Sequence, residues 1–257
     1  MHIVKYKNVF DHVAKTLTEL FQNNPKYENI CFVLGYNSWK NLDFVKVKYP
    51  NHKIIIIQLE QLNGTKWFNE NTCNMLKNDA YAIWDYDINN IKFLNQHGIY
   101  PYHFPLPYTK SLHVLPEIDD KKIDVLFYGY LNQNRADILI NIENKLGGCK
   151  VVSLFGVFGE ELDNYISKSK IILNLHYYPV AIQEQVRMYY LAINNCCILS
   201  EPSAINYMGK SILESKPEHI VDTIKDILNT GKWLEQARNS SRIFQEITNS
   251  RDYSQLF

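Results

Sequence analysis

The stretch Ser169–Glu201, S-K-I-I-L-N-L-H-Y-Y-P-V-A-I-Q-E-Q-V-R-M-Y-Y-L-A-I-N-N-C-C-I-L-S-E, decides the fold. Its two aliphatic runs, Ile171–Leu175 and Cys196–Ser200, lack polar alternation, as strands buried on both faces do in parallel sheets. Between them a polar aromatic loop, His176-Tyr177-Tyr178, feeds a helical segment carrying Glu184 and Arg187. Strand, loop, helix and second buried strand make one βαβ unit. Glu184 and Arg187 stand three apart, so on a helix they share one face. Near a helix start that face can offer a carboxylate to hydroxyl groups, while the helix N-terminus attracts phosphate.

The same alternation runs outward in both directions. Upstream it predicts strands near 2–6, 30–35, 53–59, 80–84 and 102–106, with helices near 9–22, 38–47, 70–78 and 87–97. Phe10, Val13, Leu17, Leu20 and Phe21 give the first of these helices a 3.6-residue period. Residues 107–122 break the rhythm with Pro107, Pro116 and the charged run Asp119–Lys122, a linker composition. Beyond it come strand 123–128, helix 134–146, strand 149–155, helix 159–168, strand 170–175, helix 183–194, strand 196–200, a short strand near 211–214, and helices 217–229 and 231–249. The division expected is an N-terminal Rossmann-like domain over 1–110, a linker over 111–122, a second domain over 123–230 and a C-terminal helix over 231–257. Two such α/β halves bind ligands at the carboxyl ends of their strands.

Bulk composition narrows the function classes. The chain has 257 residues, 46% hydrophobic and 21% charged, enough for two modest domains with sizeable cores. Lys+Arg and Asp+Glu both number 27, so no basic field points to nucleic acid or a membrane surface. No apolar stretch is long enough for a signal peptide or a transmembrane span, which predicts a cytoplasmic protein. The five cysteines form no C-x-x-C pair and read as small core residues in a reducing compartment. None of the eight histidines has metal spacing to a second ligand, and neither metal nor cofactor is expected.

Further candidates lie at the other strand ends of the second half. Ile123–Tyr128 exits at Gly129-Tyr130-Leu131, and Asn132 or Asn134 can cap the next helix. Gly129 lets backbone approach a ligand closely, or simply makes a tight turn. Arg135 is one of only five arginines in a lysine-using chain. It is either a planar clamp for a diphosphate or a surface helix residue. Phe155-Gly156-Val157-Phe158-Gly159 offers a slot for a flat base, or turn glycines with core aromatics. Asn174 and His176 close the strand inside the opening stretch, and the histidine can bond sugar or phosphate or serve packing alone.

The combination D-V-L-F-Y-G-x-L-N-x-x-R, S-K-I-I-L-N-L-H-Y-Y, E-x-x-R and C-x-I-L-S-E resembles the donor-binding half of GT-B glycosyltransferases, the "glycosyl transferases group 1" relatives of bacteria and viruses. The resemblance covers residues 123–201 well and the first half loosely, through 54–62 and 82–91. It implies a GT-B fold, two Rossmann-like domains facing a central cleft. It also implies transfer of a sugar, a hexose in the nearest relatives, from a nucleotide-diphosphate sugar to a hydroxyl of a glycan or related acceptor. On it, Gly129, Tyr130, Asn132, Arg135, Phe155, Gly156, Asn174, His176, Tyr177, Glu184 and Arg187 line the donor site, with Glu184 on the ribose. The chain departs from the family at Tyr177 and Tyr190, where acids are common, and at Asn195, where a small residue is usual.

Two acids of the first half complete the candidates. Asp85-Tyr86-Asp87 is a D-x-D at a strand end, which in a GT-A enzyme would hold a metal on the donor diphosphate. Asp87 as the cap of the next helix is the competing reading. Glu60, with Gln58 and Gln61, suits acceptor hydroxyls. If the reaction inverts configuration, Asp85 or Glu60 is the candidate base; if it retains, as the nearest resemblance implies, none is needed. Arg135 and Glu184 are the remaining catalytic candidates. A non-catalytic nucleotide-binding α/β module is the reading from another class.

Overall fold

The computed structural model describes residues 1–5, 8–35, 42–178, 181–253 and 256. The chain divides into two compact units, Met1–Ser111 with Arg251–Phe257, and Leu112–Ser250. The chain thus leaves the first unit at Ser111 and returns to it at Arg251.

The first unit holds five parallel strands in chain order, β1 (His2–Lys5), β2 (Ile30–Leu34), β3 (Lys53–Gln58), β4 (Ala82–Asp85) and β5 (Tyr102–His103). Every residue of β2 and all of β3 after Lys53 are buried, which is why these strands read as unbroken aliphatic runs. The helices are α1 (Asp11–Phe21), α2 (Leu42–Lys48), α3 (Glu70–Asp79) and α4 (Ile88–Gln96). The predicted helix 38–47 corresponds to α2, its first residues lying outside those described. Asn69 and Asp87 begin α3 and α4 by accepting backbone N–H bonds from Thr72 and Asn89, at 3.0 and 2.7 Å. The tail comes back through Arg251 and Tyr253, which donate to the carbonyls of Leu106 and Pro105.

The second unit is built from β6 (Ile123–Tyr128), α5 (Gln133–Lys145), β7 (Val151–Leu154), α6 (Gly159–Ser167), β8 (Ser169–Asn174), α7 (Gln185–Ile193), β9 (Cys197–Ser200), β10 (Leu213–Glu214), α8 (Ile220–Thr230) and α9 (Lys232–Asn249). Its parallel sheet runs β10-β9-β8-β6-β7. The order reverses here: β7 pairs on one side of β6, and β8 crosses to the other. The core gathers Val125, Phe127, Ile171, Leu173, Leu199 and Ile224. Asn195, before β9, sits at φ 53°, the left-handed conformation that glycine adopts freely and asparagine tolerates best among the rest. Gly231, at φ 71°, separates α8 from α9 in the same way. Among the described residues no helix is long and apolar enough to cross a membrane.

Candidate active site

The carboxyl ends of β6 and β8 flank the point where the strand order reverses. In open α/β sheets the loops leaving adjacent strands at such a point part, and ligands bind in the crevice beyond the strand ends. Asn132 caps α5 after β6, its Oδ1 accepting the Arg135 N–H at 2.9 Å. Its Nδ2 donates to the Tyr177 carbonyl at 2.7 Å, which ties the β6 loop to the β8 loop.

Arg135 is 3% exposed, so it is no surface helix residue. Its Nε and Nη2 donate to the Leu175 carbonyl, Nη1 to the Tyr130 carbonyl at 2.7 Å, and Nη2 to Glu184 Oε1 at 3.1 Å. Burial lowers its pKa and Glu184 opposes that shift. Of its five N–H groups only one is left over, so Arg135 holds the two loops together and offers little to a diphosphate. Its guanidinium also lies 5.3 Å from the Tyr177 ring.

Glu184 stands at the N-cap of α7, and its carboxylate does not cap the helix. It lies between two arginines, 3.1 Å from Arg135 Nη2 and 3.4 Å from Arg187 Nη1. Two of its four lone-pair directions are thereby used. Arg187 Nη1 also donates to Asn174 Oδ1 at 3.1 Å, and the guanidinium lies 4.8 Å from the Tyr128 ring. The Nε and Nη2 groups of Arg187 donate to no described residue. Arg187, more than Arg135, is therefore the open cation of the crevice. Gly129 makes room for it: a Cβ there would come within 2.9 Å of Arg187 Nη2, and its φ of 140° disfavours other residues.

Asn174 is fully buried, its carbonyl taken by Arg187 and its amide by Ser200 Oγ at 3.1 Å. It positions Arg187 and, at 0% exposure, is not itself open to a ligand. His176 directs Nε2 to the Pro202 carbonyl at 3.2 Å and meets Ser203 Oγ at 3.4 Å, while Nδ1 is buried without a partner among the described residues. The aromatics after β7 are not core: Phe155 is 66% and Phe158 57% exposed, and Gly156 sits at φ 73° in open space. Phe155 meets Tyr130, which meets Tyr177, edge to face at 5.3 and 5.9 Å. These rings form an exposed aromatic rim on the same strand ends.

The first unit's acids lie differently. Asp85, at the end of β4, is fully buried and accepts from Asp87 N at 2.9 Å, Gln58 Nε2 at 3.2 Å and Asn90 Nδ2 at 3.3 Å. Burial pushes its pKa well above the usual carboxylate range, although every bond to it comes from a donor. Asp87 is buried too and caps α4; burial raises its pKa, and its Oδ2 has no partner among the described residues. The capping reading of Asp87 therefore holds. With both Asp85 oxygens engaged and the one unpartnered oxygen, Asp87 Oδ2, buried, the pair does not present the open carboxylate oxygens that a metal-binding D-x-D must. Asp85, sealed from solvent, is also out of reach of an acceptor hydroxyl. Glu60 is half-buried and its backbone is fixed by Gln58 and Asn90, its N–H on Gln58 Oε1 at 2.9 Å. Among the described residues no group of three His, Cys, Asp or Glu is arranged to hold a metal ion.

Two site residues escaped the sequence reading. Gln183, 1% exposed, anchors the loop after β9 by accepting Tyr207 N at 2.8 Å and donating to Asn206 Oδ1 at 3.1 Å. Glu201 ends the quoted C-x-I-L-S-E, so its position was visible, but only strand pairing brings it beside His176.

No family model matches the chain, and no curated protein matches it. Solved structures do. Sucrose-phosphate synthase from Thermosynechococcus elongatus is 13% identical, with TM-score 0.55 over 94% of this chain and 75% of that one. Trehalose-6-phosphate synthase OtsA is 10% identical, with TM-score 0.58 over 93% and 73%. A TarM variant from S. aureus, in complex with fondaparinux, alpha-GlcNAc-glycerol and UDP, is 9% identical, with TM-score 0.59 over 85% of this chain and 52% of that one. The chain thus spans about three quarters of the two synthases and about half of TarM. At these identities the likeness is one of fold: two parallel α/β units joined in one chain, the GT-B fold.

Proposed function

We propose that the crevice between the ends of β6 and β8 binds a nucleotide-diphosphate sugar, and that the protein transfers the sugar to a hydroxyl of a glycan or related acceptor. The observation carrying this reading is the open Arg187 guanidinium, fixed by Glu184 and Asn174 at the reversal of the strand order. The TarM structure contains UDP, which supports a nucleotide in a fold of this kind.

Each residue then has a task. Breaking the anomeric bond leaves negative charge on the departing diphosphate, which Arg187 and the N-terminus of α7 meet. Arg135 acts through Glu184 and the two loops. The free lone pairs of Glu184 take ribose hydroxyls, and Phe155 with Tyr130 stacks the base. With the charge handled by side chains and a helix end, the reaction needs no metal. A hexosyl transfer with retention is the form we favour, because trehalose-6-phosphate synthase, of similar fold, is described as transferring with retention. Should the reaction invert, Glu60 is the acid left to act as base. We place the protein in the cytoplasm, where nucleotide sugars are made, and assign it no nucleic-acid partner.

Glu184→Gln tests the reading because it keeps shape and removes charge. Charge-assisted bonds are worth roughly 1.5–3 kcal/mol each, so nucleotide dissociation constants should rise at least about tenfold. Pyrophosphate, which has no ribose, should bind no worse. Equal losses for both ligands, or none for the nucleotide with normal melting, would remove Glu184 from the ribose. Turnover of the donor should also survive EDTA; its abolition, with restoration by Mn²⁺ or Mg²⁺, would overturn the metal-free mechanism.

A further inference from the structure

Glu201 follows β9, where Ser200 pairs with Asn174 of β8 and the Glu201 N–H donates to the Asn174 carbonyl at 3.1 Å. Its side chain turns toward the β8 loop, and Oε2 accepts the backbone N–H of His176. The residue is only 6% exposed; Oε1 accepts from no described residue and keeps some contact with solvent. Arg135 is the cation nearby: it is bonded to Glu184 and interacts electrostatically with Glu201 as well. A carboxylate oxygen fixed by its neighbour's bond to the backbone, with no protein donor and some access to solvent, is an acceptor open to a ligand's hydroxyl.

We infer that Glu201 receives hydroxyl groups of the sugar carried by the nucleotide, so that it separates a glycosylated nucleotide from the bare one. The inference rests on the nucleotide-sugar reading of the same crevice. Hydroxyls are the chemistry that fits: Oε1 can only accept, and phosphate, itself an acceptor, would be repelled. The ribose already has Glu184, which is bonded to the Arg135 guanidinium. The relay Arg187–Asn174–Ser200 links the two regions, because Ser200 Oγ donates to the Glu201 carbonyl at 2.8 Å.

Glu201→Gln keeps a carbonyl for the His176 N–H and removes the charge. Titration of UDP against UDP-glucose, and of GDP against GDP-mannose, measures the advantage the sugar confers. In Glu201→Gln the dissociation constant of the tighter-binding sugar nucleotide should rise at least about fivefold while that of its bare nucleotide is unchanged. Equal weakening of both ligands would make Glu201 a support for the His176 loop, and unchanged binding of both would remove it from the site. Should the glutamine variant melt early, Glu201→Asp, which keeps the charge but withdraws it by a methylene, carries the same comparison. If no nucleotide of either pair binds the wild-type protein, the nucleotide-sugar reading falls and this inference with it. If the bare nucleotides bind and the sugar adds nothing in the wild type, only this inference falls.

Discussion

The carboxyl ends of the two sheets make an instructive pair. Both belong to parallel sheets, and both bury ionisable groups after a central strand. In the first unit the strands follow chain order, and the group after β4 is closed: Asp85 is fully buried, and each of its partners is a protein N–H. In the second unit the order reverses between β6 and β8, and the group there is open. Arg187 keeps free N–H groups, Glu201 a free oxygen, and the aromatic rim is exposed. The difference follows from topology. Where successive crossovers run one way, neighbouring loops can close over the strand ends; where they part, the loops leave a gap.

The largest expected effect separates the two arginines of the open edge. Arg135→Ala strips the Leu175 and Tyr130 carbonyls and Glu184 of a buried partner. Breaking a buried pair in this way typically costs about 3–5 kcal/mol, so urea denaturation should show a large fall in stability. Arg187→Ala should cost less, about 1–3 kcal/mol for the buried Asn174 carbonyl left without a donor, and weaken nucleotide binding at least about tenfold, by loss of a charge-assisted contact of roughly 1.5–3 kcal/mol. Lys122→Ala, at an exposed ion pair, is the control and should do neither. Similar stability losses in both arginine variants would erase the contrast between a buried brace and an open ligand group.

A smaller effect sharpens the picture of the closed edge. Burial raises the folded-state pKa of Asp85 above its unfolded value of about 3.9. Protonation of Asp85 then favours the folded state. That stability is fully present below the unfolded pKa and is lost as pH rises through the folded one. The stability of the wild type relative to Asp85→Asn should therefore decline from about pH 4 upward and level off above the folded pKa. A difference that stays flat from pH 4 to pH 8 would mean that water reaches Asp85 and that the edge is not closed.

Periodicity and strand composition alone located nearly every element. The runs Ile30–Leu34, Lys53–Gln58, Ile123–Tyr128 and Ser169–Asn174 are strands because unbroken β-branched and aliphatic segments bury both faces of a parallel sheet. Asp87 and Asn132 are readable as helix starts, because a short polar side chain can satisfy an orphan N–H locally. These are interactions between residues a few positions apart, and sequence carries them directly. Which side chain is used up and which is free is not local. Arg135 looked like the anion clamp, yet the carbonyls of Tyr130 and Leu175 and the carboxylate of Glu184 occupy it from up to 49 positions away. Arg187 became the open cation only because Asn174 and Gly129 fold around it. Glu201 joined the site because parallel pairing sets β9 beside β8, and Asp85 left the surface because Gln58 and Asn90 close over it. Sequence thus determined where the strands end and hence where a site can form. Tertiary structure decided which of the charged groups there keep an unsatisfied hydrogen bond, since that depends on partners distant in the chain.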